Sequence, residues 1–160
     1  TAHFIRLLKL LYIADRELLA GTGRPLTGDE ALALAKGPAP RTIHNLINGR
    51  GGDADQSRWN EAFRREGDDV RMLAPVSTGR LTRAEEAKLH EVCERYRDTD
   101  TDELCDQTHD FGEWREAFAP DEANPINWEV ALMDQGAGSL VAEVRHLQQE
   151  AESFAAAISE

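Results

Sequence analysis

Apolar residues recur at intervals of three and four from Phe4 to Leu19, through Leu7, Leu8, Leu11, Ala14 and Leu18. That period predicts an amphipathic helix with one stripe facing a core. Gly21, Gly23 and Pro25 end it. Thr27 and Glu30 have capping-box spacing, which would start a helix through Leu34, but Leu32 and Leu34 alternate with small residues as a short strand would. Both readings stay open. Pro40 suits the first turn of a helix over Arg41 to Ile47, stopped by the glycine-rich stretch from Asn48 to Gly52.

Asp53 to Gln56 reads as loop, followed by a short helix around Trp59, Ala62 and Phe63 that Gly67 ends. Val70 to Pro75 reads as a strand, paired with Ala31 to Ala35. Thr82 with Glu85 has capping-box spacing and opens a helix whose apolar face is Leu89, Val92, Cys93 and Tyr96. Thr101 is expected to cap the next helix, to Gly112; Trp114, Ala117 and Phe118 then form a helical turn. After a turn at Asn124 and Pro125, Trp128 to Met133 is helical, and Leu140 to Ser159 repeats apolar residues at three and four as a long amphipathic helix. The expected class is mostly α: a compact helical domain with at most a small two-stranded β hairpin and a long C-terminal helix. The expected organisation is a domain over 1–135 and a helix over 139–160, which could belong to the same domain.

Length supports this reading, because 160 residues at 17.8 kDa can bury a core without disulfide or metal staples. No run approaches the roughly eighteen apolar residues of a membrane span, and two cysteines do not make a secreted disulfide framework. The cytoplasm is the expected compartment. The chain opens at Thr1 inside a helical pattern without an initiator Met, so the natural protein is expected to begin earlier.

Charge changes the picture more. The net charge of −12 is uneven: Thr1 to Gly52 carries +3, Asp53 to Arg83 is neutral, Ala84 to Glu122 carries −10 and the remainder −5. Such a chain has no broad cationic surface, so membrane and nucleic-acid partners are disfavoured and a basic protein partner fits better.

The candidate chemistry is sparse. His90, Cys93, Cys105 and His109 have ligand types and spacing that suit zinc, but both thiols fall beside apolar residues, and the stronger reading makes them small core residues. Cys105 and His109 lie one helical turn apart without an orienting third group. No catalytic, metal or cofactor residue is therefore assigned, no cofactor is expected, and the chain is expected not to be an enzyme.

Three ordered segments, Lys9-Leu-Leu-Tyr-Ile-Ala-Asp-Arg16, Gly23-Arg-Pro-Leu-Thr-Gly-Asp29 and Lys36-Gly-Pro-Ala-Pro40, followed by Leu81-Thr-Arg-Ala-Glu85 and Leu104-Cys-Asp-Gln-Thr-His109 with Trp114, resemble the Panacea domain of type II toxin–antitoxin systems. The resemblance covers about Phe4 to Phe118. It departs at Ala31 (an aromatic expected), Ala39 (more usually Val) and Glu113 (frequently Pro). It carries over Lys9, Tyr12, Asp15, Gly37, Pro38, Thr108, His109 and Trp114 as family-pattern positions, with structural roles favoured over direct partner contact.

What the resemblance implies is an antitoxin that neutralises a cognate protein toxin by direct binding, with self-association as a further option. Delivery of the toxin to a cytoplasmic protease is the alternative, and DNA-binding autoregulation through Pro40 to Ile47 a weaker one. The acidic second half and the C-terminal helix are the expected interface, with Glu143, Val144, Leu147, Glu150, Ala151 and Phe154 as candidate contacts.

Overall fold

The computed structural model describes residues 1–158, and their side chains except at positions 148, 151, 152 and 154–158. A short strand β1 (Ala2–His3) leads into helix α1 (Phe4–Thr22), followed by strands β2 (Ala31–Leu34) and β3 (Gly37–Pro40) and helices α2 (Arg41–Ile47) and α3 (Asp53–Ala62). Strands β4 (Phe63–Glu66) and β5 (Asp69–Met72) come next, then helices α4 (Arg83–Arg95), α5 (Thr101–His109) and α6 (Gly112–Ala117). Strand β6 (Asn124–Pro125), α7 (Trp128–Asp134), a 3₁₀ turn (Gly138–Leu140) and α8 (Val141–Ile158) complete the described chain.

Helix α1 is the axle. Gly23, in the left-handed conformation at φ 75°, ends it by donating its N–H to the Leu19 carbonyl at 2.8 Å. The helix contributes to each of three hydrophobic clusters. Tyr12 and Leu19 pack with Ile126, Trp128, Ala131 and Leu132; Leu8 packs with Ala39, Ile47 and Val70; Ile13 and Ala14 pack with Val92 and Leu104. Its periodicity predicts one apolar stripe, but nine of its residues are buried, and these include Lys9, Asp15 and Arg16. Polar side chains that a surface helix would hold in water are enclosed here.

The β content exceeds the expected hairpin, because the described residues form two three-stranded antiparallel sheets. In one, β2 lies between β3 and β6, with Ala33 opposite Pro38 on one side and Asn124 on the other. Pro38 and Pro40 sit on β3, an edge strand, where a missing N–H leaves no ladder bond unmade. In the other sheet β5 lies between β1 and β4. The expected pairing of Val70 to Pro75 with Ala31 to Ala35 therefore does not occur: β5 pairs with β1 and β4. Phe63 to Glu66 leaves the helical pattern because the Gly67 turn, at φ 64°, folds it back onto β5.

Three further local readings are corrected. Asp53 to Gln56 is the first turn of α3, where Asp53 and Asp55 complement the helix dipole. Asn124 and Pro125 form a strand on β2. Asp100, not Thr101, caps α5 by accepting from the Glu103 N–H at 2.8 Å. The Thr82 capping box forms as expected, with Glu85 reaching back to the Thr82 N–H at 2.6 Å.

Leu132→Ala, in the fully enclosed part of α7, is expected to lower unfolding stability by about 2–5 kcal/mol. Met133→Ala, 61% exposed on the neighbouring position, should change it by no more than about 0.5 kcal/mol. Equilibrium urea unfolding of both variants checks the orientation of α7.

Candidate functional site

The family-pattern positions converge on α1 and the segments that close over it. Lys9 is 2% exposed, and its Nζ donates to the Pro38 carbonyl at 2.6 Å. Gly37, at φ 97°, brings the β2–β3 turn against this amine. A Cβ there would collide with Thr108 Oγ1 and stand 3.1 Å from Lys9 Cε. Only glycine fits both the conformation and the space. Thr108 is fully buried and donates to the Cys105 carbonyl at 2.8 Å. The other end of the turn is held by Trp114, whose Nε1 donates to the Leu34 carbonyl at 3.0 Å. His109 stacks on Trp114 with ring centroids 4.1 Å apart, and Trp114 stacks on Phe118 at 4.6 Å.

One and two turns further along α1 lies a second polar group. The Tyr12 hydroxyl donates to Glu113 Oε1 at 2.8 Å, and Arg16 Nε donates to the same oxygen at 2.6 Å. Arg16 also pairs with Asp134, and its guanidinium lies 4.1 Å from the Phe111 ring centroid. Glu113 is fully buried. Burial, and then the adjacent Glu113 carboxylate, pushes the Tyr12 phenol well above its ordinary range. Asp15 faces another way and accepts from the Thr27 N–H at 2.7 Å and the Thr27 hydroxyl at 2.6 Å. Burial raises Asp15 to about 6, against the pull of those Thr27 bonds.

Lys9 has no carboxylate within ion-pair distance among the described residues. Burial lowers its amine to about 7. Cys105 and His109 approach from α5; burial raises the thiol and lowers the imidazole. Cys93 is exposed on α4, contrary to its expected place in a core stripe, while Cys105 is buried. Among the described residues, no three His, Cys, Asp or Glu side chains converge as a metal site.

Lys9, Tyr12, Asp15, Gly37, Pro38 and Thr108 are buried, and His109 and Trp114 half-buried. They are brought together and largely closed from solvent. Sequence reasoning missed Arg16 and Glu113 as a unit, treating Glu113 only as a departure from proline. The available signal was the spacing of Lys9, Tyr12 and Arg16, which places all three on one helical face.

The candidate contacts on α8 divide. Glu143 and Glu150 are exposed, with Glu150 3.5 Å from His146. Val144 is 3% exposed and belongs to the Tyr12 cluster, so it packs the core. Leu147 is half-buried and, with Leu19 and Trp128, lines a groove of about 670 Å³. Ala151 and Phe154 lie outside the residues whose side chains are described. Arg145 fastens α8 to α7 through Glu129 at 2.7 and 2.9 Å.

Glu113→Ala is expected to cost roughly 3–5 kcal/mol, because it removes the buried carboxylate to which both Tyr12 and Arg16 donate and leaves Arg16 only the partly exposed Asp134. Glu113→Gln, which keeps an acceptor for Tyr12, should cost less; denaturant unfolding of both separates charge from hydrogen bonding. Lys9 sits below its ordinary 10.5 when folded, so the stability linked to it is present above that value and is lost as pH falls through about 7. The difference in melting temperature between this chain and Lys9→Met should therefore move against the native chain as pH drops from about 10 to about 7.

A family model described as antitoxin SocA-like, Panacea domain, matches residues 7–115. No curated protein and no solved structure matches the chain. The match takes in all eight pattern positions, from Lys9 to Trp114, and with them the Lys9 contacts and the Tyr12, Arg16 and Glu113 group, while Asp134 lies beyond it. With more than half of its length so matched, the chain belongs to the SocA-like Panacea-domain antitoxin family.

Proposed function

We propose that this chain is a cytoplasmic antitoxin that neutralises a cognate protein toxin by binding it directly. The family match over residues 7–115 carries the reading. The pattern side chains are turned inward, so partner choice falls to the outer surface. That surface is acidic along the α4–α5 loop, α5, α6 and the following loop, where Asp98, Asp106, Glu116 and Asp121 are exposed and have no ion-pair partner among the described residues. Glu143 on α8 is exposed as well. Unpaired carboxylates on a −12 chain attract a basic toxin and raise its encounter rate.

The domain over 1–135 includes the start of α8 in its core through Val144. Its binding surface is therefore the outward side of α8, at Glu143 and Glu150, together with the α5 and α6 carboxylates. DNA binding through α2 is disfavoured: Arg41 is paired with Glu30 at 2.6 Å, and His44 is half-buried.

The purified chain is expected to block the toxin encoded beside it at equimolar ratio in a protease-free assay. Association should slow roughly tenfold or more between low and high salt, and Asp98→Lys with Asp106→Lys should lower the on-rate more than they raise the off-rate. Neutralisation that occurs only in a protease-proficient host would replace direct blocking with delivery for degradation. Binding rates that ignore both salt and charge reversal would remove the acidic surface from the interface.

A further inference from the structure

A cavity of about 320 Å³ lies between the first turns of α1, the β2–β3 turn and α2. Its walls are mostly apolar, with Phe4, Ile5, Leu8 and Leu34 among them, and its polar side chains are Lys9, Lys36 and His44. No Asp or Glu lines it, although the chain carries thirty acidic residues. We propose that this cavity binds a carboxylate carried on a short apolar body, held by the Lys9 amine and by His44 Nδ1.

Unused bonding capacity points to that chemistry. Lys9 Nζ has three donors when charged, and its recorded acceptor is the Pro38 carbonyl. Its burial is uncompensated by any carboxylate among the described residues, which is an uncommon state for an amine. His44 Nδ1 is also buried without a hydrogen-bond partner; burial lowers the pKa of the ring, and Lys9 is among the charges that act the same way. In the tautomer protonated at Nδ1 it is a donor. A carboxylate has two oxygens for these two groups and supplies the missing countercharge.

The apolar walls select what is attached. A bare phosphate or sulfate would leave oxygens facing Phe4, Ile5 and Leu8 without donors, whereas an aliphatic body buries surface there. The volume is at the small end of ligand pockets. Two sources share the chemistry: a free short-chain aliphatic acid, and the free C-terminus of a polypeptide ending in an apolar residue. Beside Lys36 and His44, the titratable groups around Lys9 are Cys105 and His109 from α5, where burial raises the thiol and lowers the imidazole.

Calorimetric titration of the full chain at about pH 8 tests this, because a carboxylate that recharges an amine lying near 7 must draw a proton from the buffer. Four probes serve: sodium hexanoate, hexanamide, an acetylated tripeptide ending in leucine with a free carboxylate, and its C-terminal amide. Saturable binding of hexanoate or the free-carboxylate peptide is expected, with heats that differ between phosphate and Tris as proton uptake requires. The matching amide should bind at least about tenfold more weakly. Hexanoate binding assigns a free acid; binding of the peptide alone assigns a polypeptide terminus.

His44→Phe, at a half-buried position, should weaken binding roughly fivefold or more with its circular dichroism unchanged, and Lys9→Met should abolish it. The proposal is overturned if neither carboxylate saturates by about 10 mM, if the amides bind as well as the acids, or if the folded His44→Phe chain binds undiminished.

Discussion

Enclosing Arg16 within the protein obliges two distant parts of the chain, the start of α6 and the end of α7, to meet it. A guanidinium removed from water costs several kcal/mol unless its donors are matched, and here Glu113 from α6, Asp134 from α7 and the face of Phe111 supply the match. Tyr12 closes the same carboxylate from one turn earlier. The apolar clusters around α1 would tolerate many arrangements of helices; this ion-paired group tolerates few. Lys9 with Gly37 and Asp15 with Thr27 repeat the logic at other levels of α1, so one helix indexes the β2–β3 hairpin, the loop before it and the C-terminal helices.

That arrangement explains which parts of the fold were legible in the sequence. Helices α1, α2, α4 and α7 follow from period and caps, because Thr82 with Glu85 and Gly23 act through local hydrogen bonds. The sheets were not legible in the same way. β5 and β2 are each four residues long, and nothing in Val70 to Met72 distinguishes β4 from β2 as a partner; the two-residue turn at Gly67 decides it. Phe63 lies in a helical pattern but pairs as a strand, since tertiary pairing overrides a weak local preference.

The pattern positions were legible as a set, but their chemistry was not. Structural roles for Lys9 and Asp15 follow from the resemblance, but Arg16 is only a polar residue of an amphipathic helix there, because the sequence around α1 does not state that α6 and α7 will cover it. Val144 shows the converse. On α8 it reads as part of a stripe available to a partner, and it is instead spent on the interior beside Tyr12, leaving Glu143 and Glu150 outside. The division of charge along the chain acquires a physical sense from this: the near-neutral first half supplies the enclosed axle, and the acidic second half supplies both Glu113 within and the unpaired carboxylates without.

The contacts of Arg16 with Glu113 and Asp134 span 97 and 118 positions along the chain, and that separation has a meaning in time. During synthesis at about 5–20 residues per second, α1 emerges roughly 5–20 s before the residues that neutralise its buried charge. Throughout that interval a nascent chain holds α1 with neither carboxylate that pairs with Arg16, and loop closure over such distances is slow. The surface proposed on α5, α6 and α8 is likewise synthesised after α1, so a freshly translated copy has its axle before it has the residues proposed to meet a partner.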